Sequence, residues 1–505
     1  MHRACLFLLI FASMLWGQSP LPKDEEKELA VLLKQFTTAY HVVEENFADP
    51  VSPEQALYGG AIPGLLRTLD PFSSFLDPDQ FRAFQQMQQS VQKGFGSVVS
   101  VSPGRVIVLQ TLPSTPSARA GLAAGDEIVE INGYRLDWME PDALMDFLRQ
   151  TRQNQARLMV RRPGVATLMP FLLTPAEVAS PSVSRAFFLR PGVGYIKIES
   201  FEEKTAEEFR KALDKLGTEK LRGLVLDLRD NPGGVLPAAI EVAAAFLKPG
   251  QVVLSIRGRS GPGEAIKAPE GSQPLGFPLA VLVNGRSASA AEIVAWALED
   301  HDRATIVGEP SFGKGLVQRV FPLPESTALA LTTALYFTPS GRSIQKSLAQ
   351  LHRPMPERGG SPIAAAGGGA ASASGEYRTD AGRPVKGGGG ITPDVLVSPE
   401  GLTPFRTALE TSSSFLKFAQ RYTADRRSIP QDFDVTPELL DDFQAFLSER
   451  QIRPALSEWS ANREYIRNRL KTEIFNLTFG VEKGDEVEAQ RDRQVQKALE
   501  ALDLR

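Results

Sequence analysis

The stretch Leu279-Ala280-Val281-Leu282-Val283-Asn284-Gly285-Arg286-Ser287-Ala288-Ser289-Ala290-Ala291-Glu292 decides the fold. Its five leading apolar residues, stopped by Asn-Gly, read as a buried strand. Ala290 to Glu299 then reads as a helix, so strand, tight turn and helix follow in order. That succession is the repeating unit of an α/β layer. Ser289 falls at the helix start, where N–H groups lack intrahelical acceptors and the dipole is positive.

A second glycine-flanked turn, Ser311-Phe312-Gly313-Lys314-Gly315-Leu316-Val317-Gln318, places a lysine 314 − 289 = 25 residues further on. A serine attacks a carbonyl only if its proton is removed, and a desolvated lysine can serve as that base. The glycines let backbone pack closely on Lys314, and burial lowers an amine's pKa. Gln318, four residues on, is placed to hold the amine. A third turn, Asp230-Asn231-Pro232-Gly233-Gly234, ends the strand Gly223 to Leu228 and offers backbone donors to a developing oxyanion. Alone, each motif has an ordinary meaning: an N-cap, a solvated surface lysine, a β-turn. Their weight comes from occurring together, each at a strand end in one α/β region. A histidine base stays open as the alternative. The four candidates are His2, His41, His301 and His352, of which His301 lies at the far end of the helix beginning beside Ser289.

The chain has 505 residues, 42% hydrophobic and 23% charged, with net charge −4. That length calls for several domains. No global basic field exists to hold nucleic acid. Met1 to Gly17 has a short apolar run behind His2 and Arg3, the pattern of an export signal. The expected location is therefore periplasmic or extracellular, with a membrane anchor as the alternative if the signal stays uncut. The only cysteine, Cys5, lies in that signal, which excludes disulfides and thiolate metal sites from the mature chain. No metal or organic cofactor is expected.

Outside the α/β region the texture changes. Residues 23–90 read as helical, with Leu29, Leu32, Leu33, Phe36 and Tyr40 at helical spacing. They include Thr68 to Pro78, a turn-rich segment read as a helix-capping loop. Residues 91–173 carry short strands and glycine turns, a compact mainly β module. Residues 174–400 form the α/β core, interrupted at 359–375 by Gly, Ala and Ser that cannot offset their ordering entropy. Residues 401–505 are helical, with a good start at Thr436-Pro437.

These motifs resemble the carboxyl-terminal processing proteases, serine–lysine peptidases of family S41 with an inserted PDZ domain. Leu228 to Gly234, Val283 to Glu292, Val307 to Gln318, Tyr336 to Gln345 and Gly390 to Asp394 carry the likeness. It implies a multidomain α/β protein: a ClpP/crotonase-like core, a PDZ insert and helical N- and C-terminal regions. It implies Ser289 as nucleophile, Lys314 as base and Gln318 as its orienter. The oxyanion donors would be Ala290 and Gly233 or Gly234. Gly94-Phe95-Gly96 resembles the PDZ loop that captures a peptide C-terminal carboxylate, with Ser97 to Val101 as the strand edge for β-augmentation. Expected partners are protein substrates with accessible tails, with an adaptor or a second copy of the chain as further candidates. Arg286 and Ala291 depart from the family, which usually has a small residue and often serine there. The rival reading is a scaffold of the same fold with its chemistry lost.

Overall fold

The computed structural model describes residues 23–87, 91–259, 261–346, 376–424 and 428–503. The expected signal (1–17), the Gly/Ala/Ser segment (359–375), His2, Cys5 and His352 lie outside the described residues. Among those described, no helix is long and apolar enough to cross a membrane.

The core is a six-stranded sheet in the order Val183–Arg190, Val193–Ile198, Gly223–Asp227, Leu279–Val283, Thr305–Gly308 and Val395–Leu396. The first pair is antiparallel and the other four pairings are parallel. Every residue of Gly223–Asp227 and Leu279–Val283 is buried. That explains their unbroken apolar runs, since a parallel sheet is covered on both faces. Helices Thr205–Leu216, Leu236–Ala244 and Ala290–Asp300 cover one face through Phe209, Val242 and Trp296. The last helix, Arg493–Asp503, covers the other face through Val495, Leu499 and Leu502. Fully burying each such leucine or valine contributes roughly 1.5–3 kcal/mol.

A second sheet joins distant parts of the chain. Ala328–Phe337 pairs along one edge with Leu316–Pro322, and along the other with Ser74–Leu76 and Val252–Gly258. The N-terminal region thus donates a strand to the peptidase-like core. Upstream, the helix Lys23–Asn46 leaves Leu29, Leu32, Leu33 and Phe36 exposed.

The β module is a sheet of Ser97–Ser102, Arg105–Thr111, Glu127–Ile131, Ala156–Arg161 and Met169–Leu173, with Tyr134–Arg135 alongside. Helix Pro141–Thr151 packs on it, around Val106, Ile131, Leu144 and Leu158. Its entry and exit strands, Val91–Gly94 and Ala176–Ala179, pair antiparallel as a two-stranded ribbon. Ser97–Ser102 is one edge strand of the sheet and Met169–Leu173 the other. The C-terminal helices pack around an aromatic cluster that includes Phe415, Phe418, Phe443 and Trp459. Thr436 caps the helix Pro437–Glu449 by accepting the Leu439 N–H.

Candidate active site

Three turns meet at the carboxyl ends of adjacent core strands, the usual place for ligands in an open α/β sheet. The turn after Leu279–Val283 is held by buried Ser287, whose Oγ donates to the Leu228 carbonyl at 2.8 Å. The Ser287 Oγ also accepts the Asn284 N–H at 2.9 Å. The Ala288 N–H donates to the Asn231 carbonyl at 2.9 Å, so this turn and the glycine turn move as one. Ser289 itself sits at φ 53°, ψ −115°. A non-glycine residue there stores on the order of 1–3 kcal/mol and persists only when its surroundings over-determine it. The half-buried serine opens the helix Ala290–Asp300, and the Ala290 N–H, at the first helical position, has no intrahelical acceptor.

Glu292 ties this turn to the next. Its buried carboxylate accepts the N–H of Ser289 at 2.9 Å and of Lys314 at 2.9 Å on the same oxygen. The other oxygen accepts the Gly313 N–H at 2.7 Å and the Ser311 hydroxyl at 2.5 Å. Burial raises the Glu292 carboxyl above its ordinary range, and the four donors pull the other way. The serine and lysine backbones are therefore fixed to one atom. The sequence alone gives Glu292 no role, although its spacing of three from Ser289, at the first turn of a helix, is the one signal there that could mark it.

Lys314 is half-buried, and its Nζ donates to Gln318 Oε1 at 2.6 Å. Burial pulls its amine below the ordinary lysine value, against the opposing charges of Glu292 and Asp70. Gln318 in turn donates from Nε2 to the Phe72 carbonyl at 2.9 Å. The segment Thr68–Pro78, expected to be a capping loop, thus reaches the lysine. Gly390 lies so near the lysine turn that a Cβ there would stand 2.5 Å from the Ser311 carbonyl oxygen.

In the glycine turn, an added Cβ on Gly233 would stand 2.7 Å from the Ser289 Cβ and 2.8 Å from the Ala290 nitrogen. One on Gly234 would stand 1.9 Å from the Phe201 carbonyl oxygen. Both have positive φ, 98° and 138°. The buried Gly233 donates its N–H to Asn231 Oδ1 at 2.8 Å, whereas that of the exposed Gly234 has no acceptor among the described residues. Behind the turn, Asp227 pairs with Arg229, which also reaches Asp492 at 2.5 Å and Gln494 at 2.8 Å. Burial would raise the Asp227 carboxyl, but Arg229 and the Tyr195 hydroxyl hold it below the usual range. At the rim, Arg286 pairs with Asp230 at 2.5 Å.

His301 is not in this cluster. It caps the far end of an 11-residue helix, about 15 Å from its start. One ring nitrogen meets Asp380 at 2.7 Å and the other the Val252 carbonyl at 2.8 Å. His41 lies on the exposed N-terminal helix beside Glu44. Among the described residues, no group of acidic, histidine or cysteine side chains could hold a metal ion.

In the β module, Gly94, Phe95, Gly96, Val99, Leu148 and Arg152 line a pocket beside the edge strand Ser97–Ser102. The Phe95 carbonyl accepts from the Ser117 N–H at 2.9 Å, and the Gly96 carbonyl from the Leu112 N–H at 2.8 Å. These two carbonyl acceptors hold the loop in place. Gly96 has φ 76°, and a Cβ there would stand 2.3 Å from Thr115.

A model of peptidase family S41 matches residues 192–355, and a PDZ domain model matches residues 85–161. The carboxy-terminal-processing protease of Bartonella bacilliformis is 36% identical over 344 residues, covering 67% of this chain and 78% of that protein. Carboxy-terminal processing protease CtpB of Bacillus subtilis is 32% identical over 326 residues, covering 64% of this chain and 67% of its own length. The solved photosystem II D1 C-terminal processing protease aligns over 72% of this chain and 92% of that one, at 26% identity and a TM-score of 0.39.

Proposed function

Because the chain belongs to the carboxy-terminal processing proteases, serine-type peptidases of family S41, we propose that Ser289 is its nucleophile and Lys314 its general base. The observation that carries this is the shared Glu292 oxygen, which pins the Ser289 and Lys314 backbones together while Gln318 holds the amine. Burial favours the neutral amine that a base must be.

Neutral Lys314 takes the proton as Ser289 Oγ bonds to the scissile carbonyl carbon. The oxyanion that forms is held by the N–H groups of Ala290 and the 233–234 turn. Gly234 is the readier donor there, since Gly233 serves only when its bond to Asn231 opens. Collapse breaks the C–N bond, and the ammonium of Lys314 returns its proton to the leaving amine. Water then attacks the acyl-enzyme with Lys314 again as base. The PDZ module positions substrates by their C-terminal tails, the carboxylate on the loop 94–96 and the chain along Ser97–Ser102. The protein is exported and works in a periplasmic or extracellular space.

The test is cleavage of an unstructured protein ending in an apolar residue, by wild type, Ser289→Ala and Lys314→Ala. The reading requires that only wild type cut. A Lys314→Ala enzyme that still cuts sinks the base assignment.

A further inference from the structure

We propose that Phe72 is a positioning residue of this active site, its ring covering the Lys314 amine and its carbonyl aligning Gln318. The proposal rests on the serine–lysine reading above and deepens it. Nothing in the local sequence of the lysine turn points to Phe72, which is 246 residues from Gln318 in the chain.

The Lys314 Nζ stands 5.2 Å from the centre of the Phe72 ring. The Phe72 carbonyl accepts the Gln318 Nε2–H at 2.9 Å, which fixes the amide so that its oxygen meets the Lys314 Nζ at 2.6 Å. One residue therefore supplies apolar cover on the amine and an anchor for the group that holds it. With its acceptor gone, Gln318 could turn its amide and present a donor to the amine instead.

The position of Phe72 is specified from both sides. Asp70 Oδ1 accepts the N–H of Phe72 at 2.7 Å and of Ser73 at 2.7 Å, and Oδ2 accepts the Ser73 hydroxyl at 2.8 Å. The Ser73 Oγ then accepts the Thr332 N–H at 3.1 Å from the second sheet. Ser74–Leu76 continues as a strand on Ala328–Ala330, and Phe75 stacks on Tyr58 at 5.0 Å. A turn with five hydrogen bonds and a strand behind it is more than a helix cap requires. It delivers one aromatic residue to the base.

The charged groups acting on the amine are Glu292 on the helix after Ser289 and Asp70 in this turn, while Lys346, against Gly313, donates to the Ser311 carbonyl at 3.1 Å. The two carboxylates and the face of the ring favour the ammonium, so it is the exclusion of water by the ring that keeps a usable fraction neutral. Removing the ring admits water and raises the pH at which Lys314 loses its proton.

The experiment measures dye-labelled casein turnover against pH with the full chain carrying Phe72→Ala, Phe72→Gln and Phe72→Leu, beside Lys314→Ala. Phe72→Ala and Phe72→Gln should lower kcat about tenfold, leave KM within about threefold, and move the acidic limb up by about half a pH unit or more. Phe72→Leu restores apolar cover and should return the limb to its wild-type position. Phe72→Gln keeps a longer side chain than alanine and decides the matter by itself if Phe72→Ala does not fold. Unchanged kcat and an unmoved limb in Phe72→Gln, with Lys314→Ala inactive, overturn the proposal alone. An active Lys314→Ala enzyme overturns the serine–lysine reading and this proposal together.

Discussion

The two glycine-bearing sites of this molecule are built in opposite ways. At the proposed catalytic turns, the N–H groups of Ser289 and Lys314 are both taken by one buried carboxylate, and Ser289 holds a backbone conformation that only such bracing sustains. In the PDZ loop 94–96, the carbonyls are tied down and the pocket beside them stays open. The first arrangement fixes atoms for chemistry, where an error of an ångström is costly. The second, in the proposed reading, keeps a pocket open for a tail that arrives from outside. Rigidity and receptivity are assigned to different modules.

The sharpest way to break this contrast is at the catalytic end. Gly234→Ala should lose about a hundredfold or more in kcat, because its Cβ collides with the Phe201 carbonyl and displaces an oxyanion donor. Steady-state kinetics on a folded variant checks it. Glu292→Gln comes next, with a tenfold to hundredfold loss and about 1–3 kcal/mol of stability, since a buried amide cannot accept all four donors. It also tests the electrostatics. Lys314 must be neutral, its pKa lies below the ordinary 10.5, and Glu292 acts to raise it. Activity should therefore climb with pH along an acidic limb below that value, and removing the Glu292 charge should shift the limb to lower pH.

At the receptive end, Gly96→Ala should raise KM for tailed substrates about tenfold and leave the labelling of Ser289 by an acyl-reactive probe unaltered. Equal losses in both assays would mean that the loop is wired to the nucleophile, and the division of labour fails. The smallest effect belongs to His301→Ala, which should keep turnover within about threefold because its ring nitrogens serve Asp380 and Val252.

Much of the core could be read from the chain because its signals are local. Leu279–Val283 emerged with the expected bounds and Gly223–Asp227 one residue short of its expected end, and Lys314 to Gln318 made the hydrogen bond that their spacing suggested. The strands that escaped notice have mixed signals. Val183–Arg190 carries Ser184 and Arg185, Gly261–Lys267 opens on Gly-Pro-Gly, and Leu316–Pro322 continues straight from the lysine turn with Gln318 and Arg319 inside it. The helix Arg493–Asp503 is amphipathic, but amphipathicity names no partner. It covers the core sheet, while its neighbours in sequence cluster elsewhere. Phe72 was hidden for the same reason: Asp70 announces a turn, and what the turn faces depends on a pairing across 246 residues.

The ribbon of Val91–Gly94 and Ala176–Ala179 carries a consequence for descent. Gly94 and Ala176 face one another across it, so the chain leaves the core and re-enters it about 5 Å apart. A two-residue hairpin would span that gap, so the chain treats the module between those residues as an insert, held besides by the bonds of Gly125 to Gln420 and of Gln110 to Val481. Tail preference and peptide-bond chemistry can then diverge on separate timetables, one by wholesale replacement and the other by slow adjustment.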